Sequence, residues 1–195
     1  MDNKPGKGEY LDLLLRSPRT IFSTKDVALL WGEEKDSTVS ARLNKYAKAG
    51  KLIRVRRGLY AKDKNYDKFE LATKIYTPSY ISFETVLAKA GVVFQLYGHI
   101  FVASYVTREV LVDKQAYSYK RIRDSILTNP LGIETKGNYH IASTERAFLD
   151  LVYLNKNYHL DNLSPLNWDK VFEIVPIYNN KSLEGRVKRY HKSLK

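Results

Sequence analysis

The chain has 195 residues, an ordinary apolar share of 44%, no cysteine and a formal net charge of +12. Disulfide frameworks, thiolate nucleophiles and thiolate metal sites are thereby excluded, and a reducing cytoplasm is the natural compartment. The charge is uneven: residues 1–64 carry 15 Lys/Arg against 8 Asp/Glu, residues 65–180 carry 12 of each, and residues 181–195 carry 6 against 1, which suits a polyanion-binding module joined to a neutral body.

Residues 1–8 are polar and basic with no apolar stretch behind them, so no signal peptide is expected. Tyr10, Leu11, Leu14 and Leu15 fall on one face of a helix predicted over residues 9–16. Ser17-Pro18 stops it, because proline disfavours helical backbone at the preceding residue. Thr20, Ile21 and Phe22 read as a short extended piece. Ser23 followed three positions later by Asp26 has the spacing of a capping box. Val27, Ala28, Leu30 and Trp31 then supply an apolar face, and Gly32 ends that helix.

After a short acidic turn (Glu33, Glu34, Asp36), Ser37 or Asp36 is expected to cap a third helix running to about Lys48, with Gly50 as its C-terminal glycine. Val39, Leu43, Tyr46 and Ala47 form its core-facing stripe. The opposite face and its flanks hold Ser37, Thr38, Arg42, Asn44, Lys45 and Lys48, the donors that base edges and phosphates require. From Lys51 onward, Ile53 and Val55 alternate with Arg54 and Arg56, Arg57-Gly58 provides a tight turn, and Leu59, Tyr60 and Ala61 return as a partner strand. Between Lys35 and Lys62 nine Lys/Arg stand against one acid, Asp36. Helix, turn, helix and basic hairpin in that order predict a winged helix-turn-helix over residues 1–64. The bland alternative is a three-helix structural domain with a solvated charged face.

Residues 65–195 predict a mixed α/β domain ending in a basic helix, so the fold class is α+β. Residues 69–75 look helical and Thr77-Pro78 breaks them. Ser82 is expected to cap a helix through Glu84, Val86, Leu87 and Ala90 to Gly91. Residues 98–106 and 108–112 read as strands, with 117–122 pairing to them. Residues 141–155 form a strong helix with Phe148, Leu149, Val152 and Tyr153 inward. From Leu183 the basic helix presents Arg186, Lys188, Arg189 and Lys192 between Leu183, Val187 and Leu194; a modest contact with flanking DNA is the favoured reading of it, with an RNA contact or plain solvation as the alternatives.

Signs of catalytic chemistry are sparse. His99, His140, His159 and His191 lack paired ligand spacing, and no glycine-rich loop follows a strand, so neither metal nor cofactor is expected. Glu145 and Asp150 look like paired carboxylates, but Arg146 stands four residues before Asp150 and a local ion pair is the expected use. Asp113 with Glu134 and Lys136 faintly matches the carboxylate and lysine pattern of metal-dependent nucleases. The apolar runs 100–103 and 148–154 fall far short of the ~20 residues needed to cross a bilayer.

Three regions of the chain, in order, resemble the AbiEi family of antitoxins. Phe22-Ser-Thr-Lys-Asp-Val-Ala-Leu-Leu, Thr38-Val-Ser-Ala-Arg-Leu-Asn-Lys-Tyr and Gly50-Lys-Leu-Ile-Arg-Val-Arg-Arg-Gly-Leu-Tyr60 look like that family's winged helix. Pro78-Ser-Tyr-Ile-Ser-Phe-Glu-Thr-Val-Leu87 is similar to the signature that follows, and Ile141-Ala-Ser-Thr-Glu-Arg-Ala-Phe-Leu-Asp150 with Tyr153-Leu154 to the one in the C-terminal part. The resemblance implies a bacterial type IV toxin–antitoxin protein that represses its own operon by binding promoter inverted repeats. It also implies a C-terminal domain counteracting a nucleotidyltransferase-like toxin, usually without a stable complex.

On the residues themselves, the third helix is expected to enter the major groove with Thr38, Arg42, Asn44 and Lys45 nearest the bases and Lys48 on phosphate. Arg54, Arg56 and Arg57 would meet the neighbouring backbone or minor groove, with two copies on an inverted repeat. Three alternatives stand beside this: a stand-alone regulator, a winged-helix nuclease using Asp113, Glu134 and Lys136, and a module making protein contacts only.

Overall fold

The computed structural model describes residues 6, 8–33, 35–95 and 98–194. Glu34 of the expected acidic turn and most of the first eight residues lie outside the described residues. The protein is α+β and divides into two units, residues 1–75 and 76–195.

The first unit follows most of the apolar pattern, although Leu15 and Leu30, expected on the inner faces, are 47% and 42% exposed. Helix α1 (Glu9–Arg16) buries Tyr10 and Leu14. A short strand β1 (Ile21–Ser23) leads into α2 (Thr24–Trp31) through the expected capping box. The Asp26 backbone N–H donates to Ser23 Oγ at 3.1 Å, and the Ser23 N–H donates back to Asp26 Oδ2 at 3.0 Å. Gly32 closes α2 in the left-handed conformation, φ 61°, which lets the N–H groups of Gly32 and Glu33 reach the carbonyls of Leu29 and Ala28.

Helix α3 (Asp36–Lys48) starts one residue earlier than either expected cap allows: Lys35 holds the N-cap position, with no side-chain cap. Its far end is a Schellman turn, in which the Gly50 and Lys51 N–H groups donate to the Ala47 and Tyr46 carbonyls at 3.1 and 2.9 Å. The chain then turns straight into the hairpin of β2 (Ile53–Arg56) and β3 (Leu59–Ala61). Strand β3 is central in the three-stranded sheet β1-β3-β2. Tyr10, Leu14, Phe22, Val27, Trp31, Val39, Leu43, Leu52 and Tyr60 pack as one buried cluster.

The change in composition after residue 64 precedes α4 (Lys68–Ile75), yet α4 goes with the first unit. Glu70 Oε2 accepts from the Thr20 N–H at 2.8 Å and its hydroxyl at 2.6 Å, and Lys74 donates to both Asp26 oxygens at 2.9 Å.

The second unit contains β4 (Ser79–Ile81), α5 (Glu84–Lys89), β5 (His99–Ser104), β6 (Arg108–Val112) and β7 (Gln115–Arg121). It continues with α6 (Asp124–Leu127), β8 (Ile133–Lys136), β9 (Tyr139–Ala142), α7 (Thr144–Leu154), α8 (Trp168–Ile174), a 3-10 turn (Val175–Tyr178) and α9 (Lys181–Lys192). The sheet order is β6-β7-β5-β4-β9-β8, with β5–β7 and β4–β9 parallel and the other neighbours antiparallel. Strand β7 pairs with both β5 and β6, as residues 117–122 lead one to expect.

Two expectations are corrected. Ser82 does not cap α5; its hydroxyl donates to Asp150, and Phe83 holds the N-cap position with φ 55°. Ile141 and Ala142 belong to β9, and α7 begins only at Thr144, where the Ser143 hydroxyl accepts from the Arg146 N–H at 3.2 Å. From there every residue between Glu145 and Val152 is buried, so α7 is the central helix of the unit.

Candidate nucleic-acid interface

On α3, Val39 and Leu43 are fully buried, and a helical repeat of 100° per residue then fixes the outward face. Ser37, Ala41, Lys45 and Lys48 are exposed and share that face. Thr38, Arg42 and Asn44 flank it and are half-buried. Two of the flanking residues are already engaged. The Arg42 guanidinium lies 3.6 Å from the centroid of the Tyr10 ring and 5.6 Å from that of Trp31, a cation–π stack that ties α3 to α1 and α2. Asn44 Oδ1 accepts from the Tyr60 hydroxyl at 2.9 Å, which bolts α3 to β3.

The hairpin continues this basic surface. Lys51, Arg54, Arg56 and Arg57 are all exposed. Ile53 and Val55 turn inward on β2, and the register shifts between Arg54 and Arg56, a bulge that bends the strand at its arginines. Gly58 supplies the left-handed turn, φ 76°, and its carbonyl accepts from the Thr24 N–H at 3.2 Å. From Lys45 to Arg57 the exposed charged residues are all cationic: Lys45, Lys48, Lys51, Arg54, Arg56 and Arg57. Asp36, the lone acid between Lys35 and Lys62, sits in the first turn of α3, where a carboxylate suits the helix dipole.

Sequence reasoning missed Ala41. It stands at the centre of the outward face, four residues after Ser37, and its small side chain leaves the helix surface open to close approach. The signal was present: an alanine among polar residues on the face opposite a core stripe.

Asp26, on the helix preceding α3, is held by a local network. Burial pushes its carboxyl up, but hydrogen bonds from Lys74 and from the Ser23 hydroxyl and N–H, with the Lys74 charge, outweigh that and hold it below the ordinary aspartate value.

In the second unit the expected Arg146–Asp150 pair forms, at 3.3 Å with both side chains fully buried. Arg146 uses all five of its N–H donors. Nε donates to Asp150, Nη1 to the Leu131 and Asn129 carbonyls, and Nη2 to the Tyr80 hydroxyl and the Ile126 carbonyl. Asp150 in turn accepts from Tyr80, Ser82 and Tyr178 at 2.9, 2.8 and 2.6 Å. Burial pushes the Asp150 carboxyl up against the pull of Arg146 and these hydroxyls. Burial and the Asp150 charge raise both tyrosines well above the usual phenol range. Solvent does not reach this cluster, so it holds the fold rather than a ligand. Glu145 takes no part, since its Oε1 accepts from the Asn167 N–H at 3.1 Å.

The candidate nuclease residues are not brought together. Asp113 lies in the turn after β6, whereas Glu134 and Lys136 lie on β8, and these strands are the two opposite edges of the six-stranded sheet. Five inter-strand steps separate them, roughly 24 Å. Among the described residues no group of three or more His, Asp or Glu is arranged to hold a metal ion. His191 stacks near Trp168 and Phe172, with centroids 4.8 and 5.3 Å away. Among the described residues no helix is long and apolar enough to cross a membrane. No family model matches the chain, and no curated protein matches its sequence.

Proposed function

We propose that the first unit is a winged helix-turn-helix that binds duplex DNA, with α3 as the reading helix and the β2–β3 hairpin as the wing. The observation that carries this reading is the uninterrupted set of exposed cations from Lys45 to Arg57 on two elements joined by the Tyr46–Lys51 and Asn44–Tyr60 hydrogen bonds. Ser37, Ala41 and Lys45 face the base edges, where the Ala41 methyl suits the C5-methyl of thymine. Lys48, Lys51, Arg54, Arg56 and Arg57 meet phosphates. Thr38, Arg42 and Asn44 stand beside the reading face, and Arg42 and Asn44 chiefly fix its angle. One such unit reads only a few base pairs, so two copies sit on an inverted repeat, with half-site centres about 34–36 Å apart or a multiple of that.

In this reading the whole chain is a cytoplasmic repressor of its own operon and the antitoxin of a type IV system, its second unit counteracting a nucleotidyltransferase-like toxin. The antitoxin half is supported by the ordered resemblance of residues 22–154 to AbiEi proteins. Fold likeness alone does not fix such a role, and a neutralisation assay decides it: co-expression should restore growth to cells carrying the neighbouring nucleotidyltransferase. Fluorescence anisotropy with promoter duplex across a salt series tests the DNA half. Arg54→Ala with Arg57→Ala should weaken binding to all sequences and flatten the slope of log K against log salt by about 0.9 for each phosphate no longer neutralised. An unchanged slope in that variant would overturn the placement of the wing.

A further inference from the structure

Helix α9 carries two separate basic stripes. Lys181, Lys188 and Lys192 share the solvent side and are exposed. Ser182, Arg186, Arg189 and Ser193, spaced i, i+4, i+7 and i+11, share another side, and most of that side lines a cavity. The cavity has a volume of about 320 Å³ and is walled by Lys156, Asn157, Arg186, Arg189, Tyr190 and Ser193. Three of these residues are cations and none is acidic.

Arg186 is the unusual member. It is only 6% exposed. Nη1 donates to Ser182 Oγ at 2.9 Å and Nη2 to the Val152 carbonyl at 3.0 Å, both neutral acceptors, while the buried Nε has no partner. Among the described residues no carboxylate is ion-paired with it. A buried cation without an opposing charge is costly, and here Arg189 and Lys156 add like charge at the mouth instead of relieving it. Two further wall residues are held by hydrogen bonds: the Tyr190 hydroxyl donates to the Tyr158 carbonyl at 2.6 Å, and the Ser193 hydroxyl to the Tyr190 carbonyl at 2.7 Å.

We propose that this cavity binds a small phosphomonoester, with Arg186 as the buried counter-charge and Arg189 and Lys156 closing on the phosphate oxygens. A phosphomonoester carries roughly −1.5 to −2 charges at neutral pH, which matches a site of three cations, and arginine forks suit its oxygens. The volume lies at the small end of the range for small-molecule sites, about 300–1,000 Å³. A phosphate fills only part of it, so there is room for an organic group beside Asn157 and Tyr190. A nucleic-acid backbone is matched instead by the open lysine stripe on the other side of α9. The inference does not depend on the winged-helix reading, because every residue in it lies in the second unit, and its readouts are separate from toxin neutralisation.

The test uses the full chain, with thermal unfolding and calorimetric titration against inorganic phosphate, nucleoside 5′-monophosphates and the parent nucleosides. Potassium chloride and acetate at matched ionic strength are the controls. At about five times its Kd a 5′-monophosphate should raise the unfolding midpoint by about 2–4 °C, while the nucleosides and both control salts leave it unmoved. Lys156→Ala and Arg189→Ala, both at exposed positions, should each weaken binding about tenfold. Arg54→Ala with Arg57→Ala should leave it unchanged. A purely structural role for Arg186 predicts no such stabilisation in the unaltered chain. The proposal is overturned by a midpoint that follows ionic strength alone. It is equally overturned by binding that survives in the Lys156→Ala/Arg189→Ala double variant, or by a double variant that loses only duplex DNA affinity. Stabilisation by inorganic phosphate but not by any 5′-monophosphate would leave an adventitious ion only and also overturn it.

Discussion

Ser82 and Asp150 lie 68 positions apart, yet their side chains share a hydrogen bond in the interior of the second unit. With Tyr80, Arg146 and Tyr178 they form a cluster in which donors and acceptors are matched almost atom for atom. Removing one charge leaves the other buried and unopposed, so Asp150→Ala should cost about 3–5 kcal/mol in urea denaturation. Replacing Arg146 and Asp150 together by apolar residues of similar volume should cost far less than the two single losses added. Asp26 answers to pH instead. Its folded pKa lies below the unfolded 3.8, so its stabilisation is complete above 3.8 and is lost as pH falls through the lower folded value. The stability gap between the unaltered protein and Asp26→Asn should therefore close below pH 3.8. A gap as wide in strong acid as at pH 7 would refute the ion pair's role. Ser23→Ala, which removes the other half of the capping box, should cost about 0.5–2 kcal/mol.

At the scale of elements, the sequence foretold most accurately where one apolar face meets one well-placed polar signal. Helices α1, α2 and α3 and the β2–β3 hairpin lie where their periodicity puts them, and the Ser23–Asp26 box closes as its spacing requires. Elsewhere local pattern was overruled from a distance. Ser82 has the right residue type for a cap, but a buried carboxylate from α7 claims its hydroxyl. Ile141 and Ala142 continue an apolar helical run, but strands β8 and β4 pair with β9 and take them into the sheet. Strands of three or four residues, such as β4 and β8, are too short for alternation to register. In the candidate interface the cations were legible from charge and period. The capture of Arg42 by Tyr10 and of Asn44 by Tyr60 was not, because both depend on elements far away in the chain. Gly132 is a further long-range constraint: with φ 75°, an added Cβ would lie 2.9 Å from both Arg146 Cβ and Ile174 Cδ1. Gly132→Ala should lower the midpoint of unfolding, whereas Gly185→Ala in α9, where the added Cβ meets open space, should leave it unchanged or raise it.

At the scale of the molecule, the two units separate charge as well as structure. Residues 1–75 carry a net +7 with a core of their own, and residues 76–195 carry +5, contributed wholly by the segment from residue 181. A fragment of residues 1–75 should therefore fold cooperatively by circular dichroism and keep the duplex affinity and salt slope of the DNA reading. A fragment that folds but shows no salt-sensitive binding would leave the first unit as a structural or protein-contact module.

The hydrogen bond from the Thr24 N–H to the Gly58 carbonyl has a thermodynamic reach beyond its 3.2 Å. Thr24 opens α2, and its amide is one of those a helix start leaves unmet from within, so the turn of the hairpin completes the helix. Whatever grips Arg57 and stiffens that turn also shifts the opening equilibrium of the first turn of α2, and by reciprocity a frayed α2 loosens the grip. The exchange rate of a single amide, Thr24, thus becomes a gauge of occupancy at the hairpin.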